Sequence, residues 1–194
     1  LKEENSDIFI RYNEAISIYR KVKHKKNIDI IASSQRPFGL RTFYKGKKER
    51  FDNAIKVFCN QSIGYANKSE ITNNSKWIYK HKVIVPRGIG SGESNKDRIK
   101  PIYSPPGTAC SETYIVFGPL ESEKMCKNLM KYMNTKFFHF MVTLRKNTMM
   151  APKSVYSFVP FLDLNNDYND KYLYELFELS ENEINYIEET IGEI

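Results

Sequence analysis

Two different apolar spacings divide this chain, and together they limit the folds open to it. Between residues 54 and 117 the apolar residues come in short runs bounded by turn formers, which is the pattern of strands. These runs are residues 54–60, 62–66, 82–86 and 113–117, the third stopped by Pro86 and the fourth by Gly118-Pro119. From Glu121 the spacing changes. Leu129, Met130, Met133, Phe137, Phe140, Met141 and Leu144 recur at helical intervals and predict a long helical segment with a break near Asn134. Residues 6–26 repeat that spacing through Ile8, Tyr12, Ala15, Ile16, Tyr19 and Val22, with Asn5, Ser6 or Asp7 as the cap. Two short helices close the chain at residues 173–177 and 181–191, the second capped by Ser180 with Glu183 three positions on. Residues 28–32 and 155–159 read as further short strands. The expected class is α+β: a mixed or antiparallel twisted sheet with an N-terminal helix and a helical C-terminal third.

At 194 residues, with 41% hydrophobic and 13% aromatic residues, the chain can bury a real core and is not a disordered segment. The expected organisation is a basic sheet-and-loop part over residues 1–120 and a helical scaffold with an acidic tail over residues 121–194, forming one compact domain. No run approaches the roughly 18 apolar residues of a membrane span. No basic leader precedes an apolar stretch, and the chain starts at Leu1, so the expectation is a cytoplasmic piece of a longer protein, away from membranes. Cys59, Cys110 and Cys126 are too far apart for a disulfide framework or a zinc cage and read as reduced thiols. Cys110 reads as a small core or strand residue.

Charge is distributed unevenly. Residues 1–100 hold 22 Lys and Arg against 10 Asp and Glu, a net +12, whereas residues 101–194 hold 8 against 13, a net −5. A folded, Tyr-rich basic half favours nucleic acid over a membrane surface. The candidate contacts are Arg36, Arg41, Lys45, Lys47, Lys48, Arg50, Arg87, Lys96 and Arg98, interleaved with Phe38, Phe43 and Tyr44. Arginine reads guanine bidentately, while lysine mainly positions the phosphate backbone. Gly88-Ile89-Gly90-Ser91-Gly92 is either an ordinary turn or a loop that brings Ser91 to a DNA backbone.

Catalytic patterns are missing where they would be looked for. No Asp or Glu stands two positions before any Lys, the spacing of the commonest restriction nuclease site. His24, His81 and His139 lie far apart, and His139 sits in an apolar helical stretch as a core or interface residue. A nuclease centre built from Asp52, Glu93 and Asp97 has no support from spacing. Ser104-Pro105-Pro106-Gly107 lacks the aromatic that would stack on a flipped base, so it reads as a turn. The competing reading is a subunit- or domain-interaction module, using the Met-rich helix and the acidic tail.

The serial order of several segments resembles the C-terminal region of adenine-specific DNA methyltransferases of restriction-modification systems, including fused restriction-methylase enzymes. The segments are Ser33-Ser34-Gln35-Arg36-Pro37-Phe38-Gly39-Leu40, Lys82-Val83-Ile84-Val85-Pro86, Gly90-Ser91-Gly92-Glu93 and Cys110-Ser111-Glu112-Thr113-Tyr114-Ile115-Val116-Phe117-Gly118. Tyr132-Met133-Asn134-Thr135-Lys136-Phe137-Phe138-His139-Phe140, Tyr156-Ser157-Phe158-Val159-Pro160 and Leu179-Ser180-Glu181-Asn182-Glu183-Ile184 continue the order. The resemblance implies a target recognition domain of the TaqI-like kind that binds double-stranded DNA for an upstream methyltransferase domain. It implies S-adenosylmethionine as cofactor of that upstream domain, and no catalytic residue and no cofactor in this chain.

Overall fold

The computed structural model describes residues 15–23, 26–89 and 98–193. The fold is α+β, as the two apolar spacings require. Its strands form two three-stranded sheets rather than one. β1 (Ile55–Cys59) pairs antiparallel with β2 (Ser62–Ala66) and parallel with β5 (Thr108–Cys110), giving a mixed sheet. β3 (His81–Pro86) lies between β4 (Ile102–Ser104) and β6 (Tyr114–Leu120), antiparallel to both. β4 and β5 are adjacent in sequence but belong to different sheets. The Ser104-Pro105-Pro106-Gly107 turn is therefore the corner where the chain leaves one sheet for the other.

That corner is held by polar contacts. Ser104 Oγ and Thr108 Oγ1 lie 2.7 Å apart across it, and the Gly107 N–H donates to the Ile78 carbonyl at 2.7 Å. Lys82, on β3, is fully buried. Its ammonium donates to the carbonyls of Trp77 at 2.9 Å, Lys80 at 2.8 Å and Pro105 at 3.4 Å. Burial pushes the Lys82 amine down to about 8, against the opposing influence of the Cys110 and Cys126 thiols.

The chain divides into two compact units, and the division does not fall at residue 120. One unit comprises Ile31–Arg87 and Lys100–Met130 and contains both sheets. The other comprises Leu1–Ile30, Gly88–Ile99 and Lys131–Ile194. The reason is that the N-terminal helix does not join the basic sheets that follow it: α1 (Ala15–Val22) shares a core with the last third of the chain. Tyr19 of α1 meets Phe158 with ring centroids 4.5 Å apart.

In the sheet unit the inner faces meet in one core: Ile55, Val57 and Cys59 from β1, Ala109 and Cys110 from β5, Ile84 from β3 and Val116 from β6. β1 alternates buried and half-buried residues, which puts Lys56 and Phe58 on its other face. Cys59, Cys110 and Cys126 are all free, buried thiols.

In the helical unit α3 (Lys136–Thr143) is central and packs on α4 (Asp170–Leu176) and α5 (Glu181–Ile191). The break expected near Asn134 is real: α2 (Glu123–Met133) ends there and Thr135 caps α3, accepting from the Phe138 N–H at 3.1 Å. Asp170 accepts from the Lys136 and Phe137 N–H groups at 3.1 and 2.8 Å. Ser180 and Glu183 form the reciprocal capping box that their spacing predicts. His139 is buried within α3.

Two expected strands are not strands. Residues Ile28–Ile31 and Lys153–Phe158 are 3₁₀ turns. Each carries a short apolar run whose buried side chains serve a helical turn as well as a strand, and periodicity over five residues does not separate the two. A single bridge, Asn27 with Pro160, still ties the two turns.

Candidate nucleic-acid interface

Charge separates with the units. Residues Ile31–Arg87 and Lys100–Met130 carry 15 Lys and Arg against 6 Asp and Glu, a net +9, while the rest of the chain carries 15 against 17. The densest part is residues 41–50, where Arg41, Lys45, Lys47, Lys48 and Arg50 are all exposed and only Glu49 opposes them.

This loop is anchored along its length. The Asn73 and Asn74 side chains donate to the carbonyls of Arg36 at 3.2 Å and Pro37 at 2.7 Å. The Glu112 N–H donates to the Leu40 carbonyl at 2.8 Å, and the Glu112 carboxylate then receives three donors of its own. Arg36 Nε reaches Oε2 at 2.8 Å, while the Thr42 N–H and hydroxyl reach Oε1 at 3.1 and 3.2 Å. Burial alone would raise the Glu112 carboxyl, but these donors outweigh it and hold the carboxyl below its ordinary value. Arg36 sits at φ 56°, a left-handed conformation that a residue with a Cβ adopts only when its surroundings enforce it.

Further along, the Tyr44 hydroxyl donates to Glu70 Oε2 at 2.9 Å, and Glu70 Oε1 accepts from the Asn67 N–H at 2.7 Å. Lys47 exchanges both backbone hydrogen bonds with Tyr65 of β2, at 2.8 and 2.9 Å. That pairing needs the glycine on β2. A Cβ on Gly64 would stand 1.8 Å from the Lys45 carbonyl oxygen, so no larger residue lets the loop lie against the strand. The loop is thus a basic surface on a fixed backbone. Lys47 also lies over the Phe51 ring at 4.6 Å.

The aromatic residues of this region are sorted in an unexpected way. Phe38, expected among the DNA contacts, is 0% exposed and belongs to the core between the sheets. Its side chain points inward because Pro37 and Leu40 are buried beside it, and it cannot touch a ligand in the folded chain. Phe43, five residues on, is 81% exposed.

The remaining candidates do not all gather at the loop. Arg36 is exposed but engaged by Glu112. Arg87 follows β3 in the sheet unit, half-buried, its N–H donating to the Thr113 carbonyl at 2.8 Å. Ser91 and Lys96 lie outside the described residues, as do Glu93 and Asp97. Arg98 belongs to the helical unit, where its guanidinium donates to the carbonyls of Ile191 and Glu193 at the end of α5. Sequence reasoning passed over Glu112 and Glu70, the carboxylates that shape the loop; the signal was that they are among the few acids within the basic unit.

Among the described residues no cluster of three His, Cys, Asp or Glu side chains is placed to hold a metal ion, and no helix is long and apolar enough to cross a membrane. No protein-family model, characterised protein or solved structure matches the chain.

Proposed function

We propose that this chain is the target recognition part of an adenine-specific DNA methyltransferase, which in the parent protein grips duplex DNA and positions a target adenine for an upstream catalytic domain using S-adenosylmethionine. The observation that carries the reading is the cationic loop of residues 41–50, whose backbone Glu112 and Tyr65 hold at Thr42 and Lys47 while Glu70 holds the Tyr44 hydroxyl. A surface meant only for solubility has no need of a fixed geometry. A surface that reads phosphates and base edges does, because loose side chains lose entropy on every contact. The resemblance of the segment order to that of such methyltransferases suggests the reaction class, and cytoplasmic location is proposed with that class.

In this reading Arg41, Lys45, Lys47, Lys48 and Arg50 contact the duplex, with Arg87, Ser91 and Lys96 as further candidates. The test is fluorescence anisotropy of the 194-residue chain with duplex DNA over a range of salt. Binding should weaken steeply and log-linearly as salt rises. Absence of any affinity at about 50 mM salt, together with unchanged site specificity when residues 36–50 are exchanged in the parent protein, would refute the proposal.

A further inference from the structure

We infer that Phe43 is a wedge that enters the base stack of the bound duplex. The inference rests on the DNA-binding reading above and adds to it a specific contact between an aromatic ring and bases. Phe43 is the third residue of a turn closed by the Tyr44 N–H donating to the Arg41 carbonyl at 3.1 Å. Its neighbours on both sides are tied to carboxylates, Thr42 through its N–H and hydroxyl to Glu112 and Tyr44 through its hydroxyl to Glu70, which steadies the turn from which Phe43 projects. The ring is at 81% exposure, and among the described residues the next most exposed large apolar side chain is Tyr79 at 58%, whose ring lies under Lys68.

An apolar ring exposed to water on a steadied turn, within a stretch of five cations, suits one kind of partner. The cations select a polyanion, and the ring requires an apolar, flat surface within reach of that polyanion's charges. Nucleic acid bases meet both conditions, and apolar side chains inserted between base steps partly unstack and kink a duplex. A polyanion without bases would use the cations and leave Phe43 idle.

The experiment uses the whole chain, its F43A and F43W variants, duplexes carrying 2-aminopurine at successive positions, and heparin as a polyanion without bases. Because Phe43 is exposed, both variants should keep the wild-type circular dichroism and melting temperature. Wild type and F43W should raise 2-aminopurine fluorescence at one step, F43A should not, and F43A should bind the duplex about tenfold more weakly with an unchanged salt slope. Heparin affinity should be the same for all three. Equal duplex binding and equal fluorescence for wild type and F43A would overturn the wedge while leaving DNA binding intact. An equal loss of heparin affinity in F43A would also overturn it. Failure of the wild-type chain to bind any duplex would instead remove the DNA-binding reading, and the wedge with it.

Discussion

Arg36 donates from Nε to Oε2 of Glu112 at 2.8 Å, across 76 positions of sequence, and so fixes the start of the basic loop to the strand-bearing framework. Glu112 is expected to matter to the loop more than any single cation. E112Q removes the charge but keeps the shape, and should lower stability by about 1 kcal/mol, which is about 2–4 °C in melting temperature for a chain of this size. The pH dependence has a definite sign. Glu112 is held below the ordinary value near 4.5, so its contribution is fully present above that value and is lost as pH falls from there through the lower folded value. The difference between wild type and E112Q, followed by urea unfolding from pH 7 to 3, should shrink toward acid; a constant difference would contradict the assignment.

The exposed lysines should act through phosphate. Substituting Lys47 or Lys48 by Ala should weaken duplex binding without regard to sequence and lower the magnitude of the salt slope by about 1 each. Phe38 provides the contrast. F38A should cost about 3–5 kcal/mol of stability, because the ring fills the core between the sheets. Chemical denaturation read beside anisotropy separates the two kinds of effect.

Gly64 should be intolerant of even one methyl group. In G64A the new Cβ meets the Lys45 carbonyl, so residues 45–47 must lift from β2 at a cost of about 2 kcal/mol. Trypsin should then cut after Lys45, Lys47 or Lys48 faster than in the wild type. Unchanged cleavage would mean that the loop is not pinned by this strand.

Lys82 should reveal itself at alkaline pH. Its folded value of about 8 lies below the ordinary 10.5, so the unfolded chain binds the proton more tightly between those limits. The contribution of Lys82 to stability therefore rises with pH through that window. K82M loses the donor to the Trp77, Lys80 and Pro105 carbonyls, and its deficit relative to wild type should widen by about 2 kcal/mol between pH 7.5 and 10. A deficit that narrows over this range would rule out a depressed amine.

The three thiols should be silent in the native state. Cys59, Cys110 and Cys126 are buried, and burial pushes each thiol up, Cys126 to about 12. A disulfide reagent at pH 8 should label none of them until denaturant is added. Prompt native labelling of any one would show a route to the core that the fold does not contain.

Much of the secondary structure could be read directly. β1, β2, β3 and β6 follow from apolar runs bounded by turn residues, and the break between α2 and α3 and the Ser180 cap follow from short-range patterns. β4 and β5 were not foreseen, since three-residue strands such as Ile102–Ser104 and Thr108–Cys110 carry too few residues to show alternation. The runs that became 3₁₀ turns at Ile28–Ile31 and Lys153–Phe158 failed for a similar reason of length. In the candidate site, composition located the cations but did not separate Phe38 from Phe43, which lie in the same basic, turn-rich stretch.

By itself the sequence determined the α+β class, the helix caps and the placement of positive charge before residue 100, because each depends on patterns a few residues long or on a count. Tertiary structure alone decided that the strands part into two sheets at Ser104-Pro105-Pro106-Gly107, and that α1 joins the last third of the chain. It also decided that Phe38 is sealed inside while Phe43 is held out. Those outcomes turn on which distant partners complete a core or a hydrogen-bond set, as Glu112 does for Arg36 and Thr42. Local periodicity constrains which way a side chain faces, but only closure of the chain establishes what it faces.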